Sequence, residues 1–209
     1  MIPIQNIYYM LSYAFQVLNE QCYKNIATEQ FNNTGELMAA ILEKGIAIQI
    51  KRGLGKEYIL QTEALSSLQG KIDIAESIKT QSMLRKQLIC TYDEFSVNSI
   101  MNRIIKSTVE LLLRSNISKQ RKKNLRKLMV YFSEVDFIDL YTVNWNVQYN
   151  RNNQTYRMLI SICYLVVKGL LQTQSNGHTK LMDFLDEQRM CRLYEKFILE
   201  YYRREFKNQ

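Results

Sequence analysis

The chain has 209 residues, 46% of them hydrophobic, and a formal net charge of +8. A chain of this length buries roughly 70% of the surface it exposes when unfolded, so it forms one large domain or two small ones, and collagen-like, low-complexity and wholly disordered readings are excluded. The positive charge raises nucleic acid or an acidic partner as a question without answering it.

The first element is a helix. Ile7, Met10, Leu11, Ala14, Phe15 and Leu18 follow i, i+3, i+4 spacing, with Asn6 placed to cap it and Pro3 just outside. A second helix is expected after Gly35, carrying Leu37, Met38, Ile41 and Leu42, and ending at Lys51-Arg52-Gly53, where basic residues and a glycine suit a C-terminus. The period then changes. Residues 56–61, 70–75 and 87–95 read as short antiparallel strands, with 63–69 as a long hairpin loop or projection between the first two. Helices return at 99–114 and 118–132, with Ser99 and Ser118 as N-caps.

Val143, Trp145, Val147 and Tyr149 alternate with Asn144, Asn146 and Gln148, the clearest strand pattern in the chain. A polar turn at 150–154 leads into a deeply packed helix through Tyr156, Leu159, Ile160, Cys163, Val167, Leu170 and Leu171. A loop at 172–180 contains Asn176-Gly177-His178, and a last amphipathic helix spans about 187–206. The fold class is α+β: helix-rich, with a small mostly antiparallel sheet and a projecting hairpin.

Several chemistries are hard to build from these residues. Cys22, Cys90, Cys163 and Cys191 form no C-x-x-C pair and read as buried small hydrophobes in a reducing cytosol. His178 is the one histidine, too few for a His-based zinc site, and in a polar loop it reads first as exposed or hydrogen-bonded. No G-x-x-x-x-G-K-[ST] stretch is present; Gly53-Leu54-Gly55-Lys56 has the wrong spacing. The apolar run at 160–171 is interrupted and shorter than the ~18–20 residues of a membrane span. A metal nuclease of the PD-(D/E)xK type needs an acid-x-Lys strand, yet the one acid with lysine two positions on is Glu205, on the terminal helix, where the two side chains diverge.

The basic charge is concentrated. Between Glu110 and Glu134 lie no acids and seven bases: Arg114, Lys119, Arg121, Lys122, Lys123, Arg126 and Lys127. Lys119, Lys122, Lys123, Arg126 and Lys127 share one face of the helix over 118–132, opposite Leu125, Leu128, Met129 and Phe132. This ridge reads equally as a solvated face or as a surface for phosphates or an acidic partner. No aromatic interleaves the lysines, so base stacking there is not expected.

The stretch from Ile2 through Asn6-Ile7-Tyr8-Tyr9-Met10-Leu11-Ser12-Tyr13-Ala14 resembles the opening of the McrC family. Further matches follow in order: Lys51-Arg52-Gly53-Leu54; Gly70-Lys71-Ile72-Asp73-Ile74; Tyr92-Asp93-Glu94-Phe95-Ser96; Asn102-Arg103-Ile104-Ile105-Lys106; Gly177-His178 before Asp183-Phe184; and Leu193-Tyr194-Glu195-Lys196-Phe197. The resemblance implies a partner subunit of a GTP-dependent, 5-methylcytosine-specific restriction system, docking on an McrB-type AAA+ GTPase hexamer and stimulating it in the cytoplasm, with DNA in the assembled complex and no membrane.

It implies an N-terminal docking domain over 1–186 and, over 187–209, a helix that would lead into a C-terminal PD-(D/E)xK nuclease domain absent from the sequence. Glu195, on that helix, reads as a surface acid. This chain alone is then expected to bind no cofactor and to have no catalytic site: GTP and Mg²⁺ belong to the ring, and further Mg²⁺ to the nuclease domain. The region 51–73 is expected to project and make the partner contact through Arg52, Lys56 and Lys71. The alternative is a DNA-binding module that grips the phosphate backbone with the helix over 118–132.

Overall fold

Six consecutive residues, Leu37 to Leu42, are all buried, so the helix that carries them has no solvent face across its middle and must be wrapped by others. This is α3, Thr34–Arg52. The computed structural model describes residues 4–15, 18, 23–149, 153, 155–174, 195 and 198–199. Around α3 pack α1 (Ile4–Ala14), α2 (Lys24–Thr28), α5 (Ile100–Arg114), α6 (Lys119–Met129) and α7 (Tyr156–Gln174). Gly45 permits the close approach of α7: a Cβ there would stand 2.4 Å from Leu159 Cδ2. Asn33 caps α3 by accepting from Glu36 N–H at 2.8 Å, and Gly53 ends it with φ of 90°, a conformation L side chains rarely adopt.

Between α3 and α5 the chain leaves this body. β1 (Glu57–Leu65), β2 (Lys71–Asp73) and β3 (Leu88–Ser96) form an antiparallel sheet in the order β1-β3-β2, with α4 (Ile74–Lys79) and a 3-10 turn at Ser82–Arg85 between β2 and β3. No residue from 57 to 96 belongs to the hydrophobic core of the helices. The sheet packs on its own small helix instead, with Ser77 Oγ accepting from Ile89 N–H at 2.7 Å.

Several expectations from the sequence need correction. Asn6 lies inside α1, which starts at Ile4, so it does not cap; Pro3 lies outside the described residues. Residues 63–69 are not a hairpin loop: β1 runs on to Leu65, and its partner is β3, not β2. The region that stands apart is 57–96, longer and later than 51–73, since Lys51 and Arg52 still belong to α3.

Residues 143–149 are not a strand. Val143, Trp145, Val147 and Tyr149 do pack on the core while Asn144, Asn146 and Gln148 are exposed, but among the described residues the segment has no ladder partner. Trp145 packs edge-to-face with Tyr164 on α7, ring centroids 5.3 Å apart, and Asn146 N–H is satisfied by the side chain of Asn144. Alternation fixes which way side chains face; it does not supply a neighbour.

The α+β class, the antiparallel sheet and the caps by Ser99 and Ser118 match expectation. The helix expected over 118–132 closes as a 3-10 turn at Val130–Phe132. Cys90 and Cys163 are buried and free; burial pushes the Cys163 thiol up to about 12, which keeps it unreactive. Cys22, Cys191, His178, the boundary at 186/187 and nearly all of the last helix lie outside the described residues, although Glu195, Ile198 and Leu199 are helical. Among the described residues no helix is long and apolar enough to cross a membrane.

Candidate functional site

The register of the sheet decides which side chains share a face. Tyr58 stands opposite Phe95, Leu60 opposite Asp93, Thr62 opposite Thr91, and Lys71 also opposite Thr91. All therefore lie on one face, and Lys56, two residues before Tyr58, joins it: its Nζ stands 5.7 Å from the centre of the Phe95 ring. The apolar members are open to solvent. Tyr58 is 74% exposed, Leu60 67% and Phe95 55%. Tyr58 and Phe95 lie against each other, ring centroids 5.0 Å apart and planes tilted by 36°, yet both stay open to solvent.

On the opposite face Tyr92 donates to Glu63, and that hydrogen bond pushes the phenol up to about 12. Lys56 and Lys71 thus flank one exposed face, while Arg52 stands apart from them, at the C-terminal end of α3 across Gly53-Leu54-Gly55. The sequence pattern picks out the flanking charges but not Tyr58, Leu60 and Phe95. The available signal was that β1 alternates Tyr58 and Leu60 with Glu57, Ile59 and Gln61, so apolar residues fall on both faces of a strand that can cover only one.

The basic ridge is a second, separate surface. Lys119, Lys123, Arg126 and Lys127 are exposed, Lys122 is half-buried, and Leu125 and Phe132 are buried. Leu128 and Met129, expected inside, are half-buried because α6 ends there. Arg121 behaves differently from its neighbours. It lies four residues before Leu125, on the apolar stripe, and its side chain is 14% exposed. Its guanidinium meets Glu29 after α2 and Glu43 on α3, the latter at 2.9 Å, with Nε 3.5 Å from Glu36.

Burial alone would lower the Arg121 pKa, but the three glutamates hold it above its ordinary value. Glu36 also accepts from Ser118 N–H at 2.8 Å and from its hydroxyl at 2.7 Å, and Glu43 accepts from Asn124 at 2.9 Å. One of the seven positive charges is therefore spent inside the fold, clamping α6 to α3. The cleft beside this cluster, about 400 Å³ and lined by Glu29, Glu43, Lys44, Arg121, Asn124 and Lys127, has its acids already turned to Arg121 and Asn124.

Among the described residues no three His, Cys, Asp or Glu side chains gather closely enough to hold a metal ion. Asp136 accepts from the Asn98 side chain at 2.6 Å, and Asp139 accepts from Tyr141 N–H at 3.0 Å. Two surfaces stand out among the described residues: the sheet face that carries Tyr58, Leu60 and Phe95 between Lys56 and Lys71, and the cationic ridge of α6.

A family profile described as "McrBC 5-methylcytosine restriction system component" matches residues 5–209. The chain is 30% identical over 207 residues to the type IV methyl-directed restriction enzyme EcoKMcrBC of Escherichia coli K12, covering 98% of this chain and 60% of that protein. It thus spans about three-fifths of the length of the curated relative it matches. Two solved structures share the fold. A chain of the Thermococcus gammatolerans McrBC complex aligns with a TM-score of 0.64 at 20% identity over 97% of this chain and 58% of that one. A chain of the half-complex of Thermococcus gammatolerans McrB AAA+ hexamers with bound McrC aligns with a TM-score of 0.58, also at 20% identity, over 94% of this chain and 47% of that one.

Proposed function

This chain belongs to the McrBC 5-methylcytosine restriction system family, and from that premise we propose that it is the McrC-like subunit, which docks on an McrB-type AAA+ GTPase hexamer and stimulates GTP hydrolysis there. The observation that carries the reading is the β-unit, residues 57–96. It adds nothing to the helical core, and between Lys56 and Lys71 it shows solvent a sheet face that carries Tyr58, Leu60 and Phe95. Exposed contiguous apolar patches rimmed by charge mark protein interfaces. The McrC of the Thermococcus half-complex is bound to McrB hexamers, which agrees.

GTP and Mg²⁺ belong to the ring in this reading, and DNA cleavage, with the Mg²⁺ it needs, to a part of the system other than these residues. The system works in the cytoplasm.

Tyr58→Ala with Leu60→Ala tests the docking face. Both side chains are exposed, so the cost to stability is confined to the Tyr58–Phe95 ring pair and the two strand positions, about 1–2 kcal/mol. Aromatic and aliphatic anchors that become buried on binding are worth about 2 kcal/mol or more each, so affinity for the ring, read by co-sedimentation, should fall at least about tenfold. Undiminished affinity would remove this face from the interface.

A second reading has its own observation, the exposed charges of α6. We propose that the ridge steers DNA in the assembled complex through phosphate contacts, without reading sequence. Replacing Lys119, Lys123, Arg126 and Lys127 by Gln should weaken DNA association of the complex and flatten its salt dependence by about 0.9 in log–log slope for each phosphate no longer neutralised. GTPase stimulation should survive. If DNA binding is untouched and the ring complex is lost, the ridge is the docking surface.

A further inference from the structure

The β-unit meets the helical body at two points, Gly55 on the way out and Val97 on the way back, and a single side chain holds both. Asn102, in the first turn of α5 and fully buried, donates through Nδ2 to the carbonyl of Gly55 at 2.9 Å and to that of Val97 at 2.7 Å. Its Oδ1 accepts from the Tyr156 hydroxyl at 2.8 Å, and that hydroxyl in turn accepts from Gly55 N–H at 2.7 Å. Tyr156 opens α7 and is 1% exposed. A second link lies beside the first: Gln49 on α3 donates to the Gly53 carbonyl at 3.1 Å and accepts from the Thr155 hydroxyl at 2.9 Å. Polar side chains from α3, α5 and α7 therefore converge where the two legs of the β-unit are rooted.

The chemistry suits asparagine. Its amide has two donors for two carbonyls and an acceptor for the phenol; aspartate would turn oxygens towards carbonyls, and leucine would leave every partner unmet. Burial raises the Tyr156 pKa, so the hydroxyl remains a donor at neutral pH. The network carries no charge. It also stands where an apolar contact would have served stability alone: Asn102 shares a stripe of α5 with Ile105, Val109 and Leu112. Buried, satisfied polar groups favour one geometry over others because every alternative leaves them unpaired.

No apolar side chain of 57–96 enters the helical core, so the angle of the β-unit is fixed mainly at this root. We propose that Asn102 and Tyr156 are positioning residues: they lock the angle at which the β-unit is presented, so that docking on the GTPase is converted into stimulation. The proposal rests on the docking reading above, and neither residue touches the partner.

Two variants test it. Tyr156→Phe removes the hydroxyl and keeps the ring. Gly55→Ala attacks the lock from the other side, since its Cβ would meet Tyr156 ring atoms and the hydroxyl at 3.0 to 3.2 Å; it serves if the first variant melts. Spin labels at Ser67→Cys in the β-unit and Gln120→Cys on α6, with Cys22 and Cys191 changed to Ser, report the distance distribution in the full chain by itself. The parent should give one narrow distribution, and each variant one at least twice as wide.

Added to the ring at saturation, the variants should lower maximal GTP turnover at least fivefold while half-saturation shifts less than twofold. A width that stays narrow overturns the proposal, and so does a widened distribution with full turnover, or a loss seen only in half-saturation. Failure of the unaltered chain to stimulate would strike the docking reading, and the lock would then stand or fall on the distance widths.

Discussion

Arg52→Glu combined with Lys56→Glu should abolish stimulation of the partner ring while leaving the fold intact. Both side chains are exposed, and among the described residues neither takes part in an ion pair. The structural cost is therefore small. A negative charge at Arg52 faces the carbonyl end of α3, an unfavourable placement worth about 0.3–1 kcal/mol. Losing Lys56 removes a cation–π contact with Phe95 worth about 0.5–1 kcal/mol at an exposed site.

At an interface the change is larger. Two attractive charges become two repulsive ones, and like charges brought together cost several kcal/mol. Melting should shift by only a few degrees while GTP turnover at saturating chain falls to that of the ring alone. Arg52→Gln with Lys56→Gln, which avoids the helix-end penalty, should give an intermediate loss. Full stimulation by the reversed double variant would remove both residues from the contact.

The second large effect is on stability. Arg121→Met should lower it by about 2–4 kcal/mol, at the lower side of the loss expected when one member of a fully buried ion pair is removed, because Glu29 is 43% exposed and water screens part of its charge. Glu36 and Glu43, at 12% and 21%, are the costly ones to leave facing each other. For a chain of this size the midpoint of thermal unfolding should drop by roughly 5–15 °C. Lys123→Met on the same helix is exposed and should change stability by no more than about 0.5 kcal/mol. If the two variants melt together, α6 is held by Leu125 and Phe132 alone and the glutamates do nothing for it.

Periodicity made most helices legible. The stripe through Leu37, Met38, Ile41 and Leu42 located α3, and Ser99 and Ser118 marked the starts of α5 and α6 because a hydroxyl before an apolar-periodic run has one obvious use. Pairing was less legible. Residues 143–149 have the alternation of a strand and the facing that goes with it, but whether a neighbour offers hydrogen bonds is a tertiary fact. The connection from β1 to β2 read as a hairpin for the same reason, although β3 lies between them.

At the candidate site, charges near Lys56 and Lys71 could be picked out by type, whereas the exposure of Tyr58, Leu60 and Phe95 depends on the β-unit standing off the core. Asn102 and Arg121 were legible in principle. Each occupies an apolar stripe of its helix, and a polar residue there must find a partner inside. The partners, Gly55, Val97 and Tyr156 for one and Glu29, Glu36 and Glu43 for the other, come from distant segments that no local pattern connects.

The proposed docking and stimulation are tested by GTP turnover of a purified McrB-type ring titrated with this chain, without DNA and at fixed Mg²⁺. Docking predicts a saturable rise in turnover that the Tyr58→Ala, Leu60→Ala variant shifts to at least about tenfold higher concentration. Turnover that stays flat at every concentration, while the chain alone binds DNA with a steep salt dependence, would contradict it and leave the ridge of α6 as the functional surface.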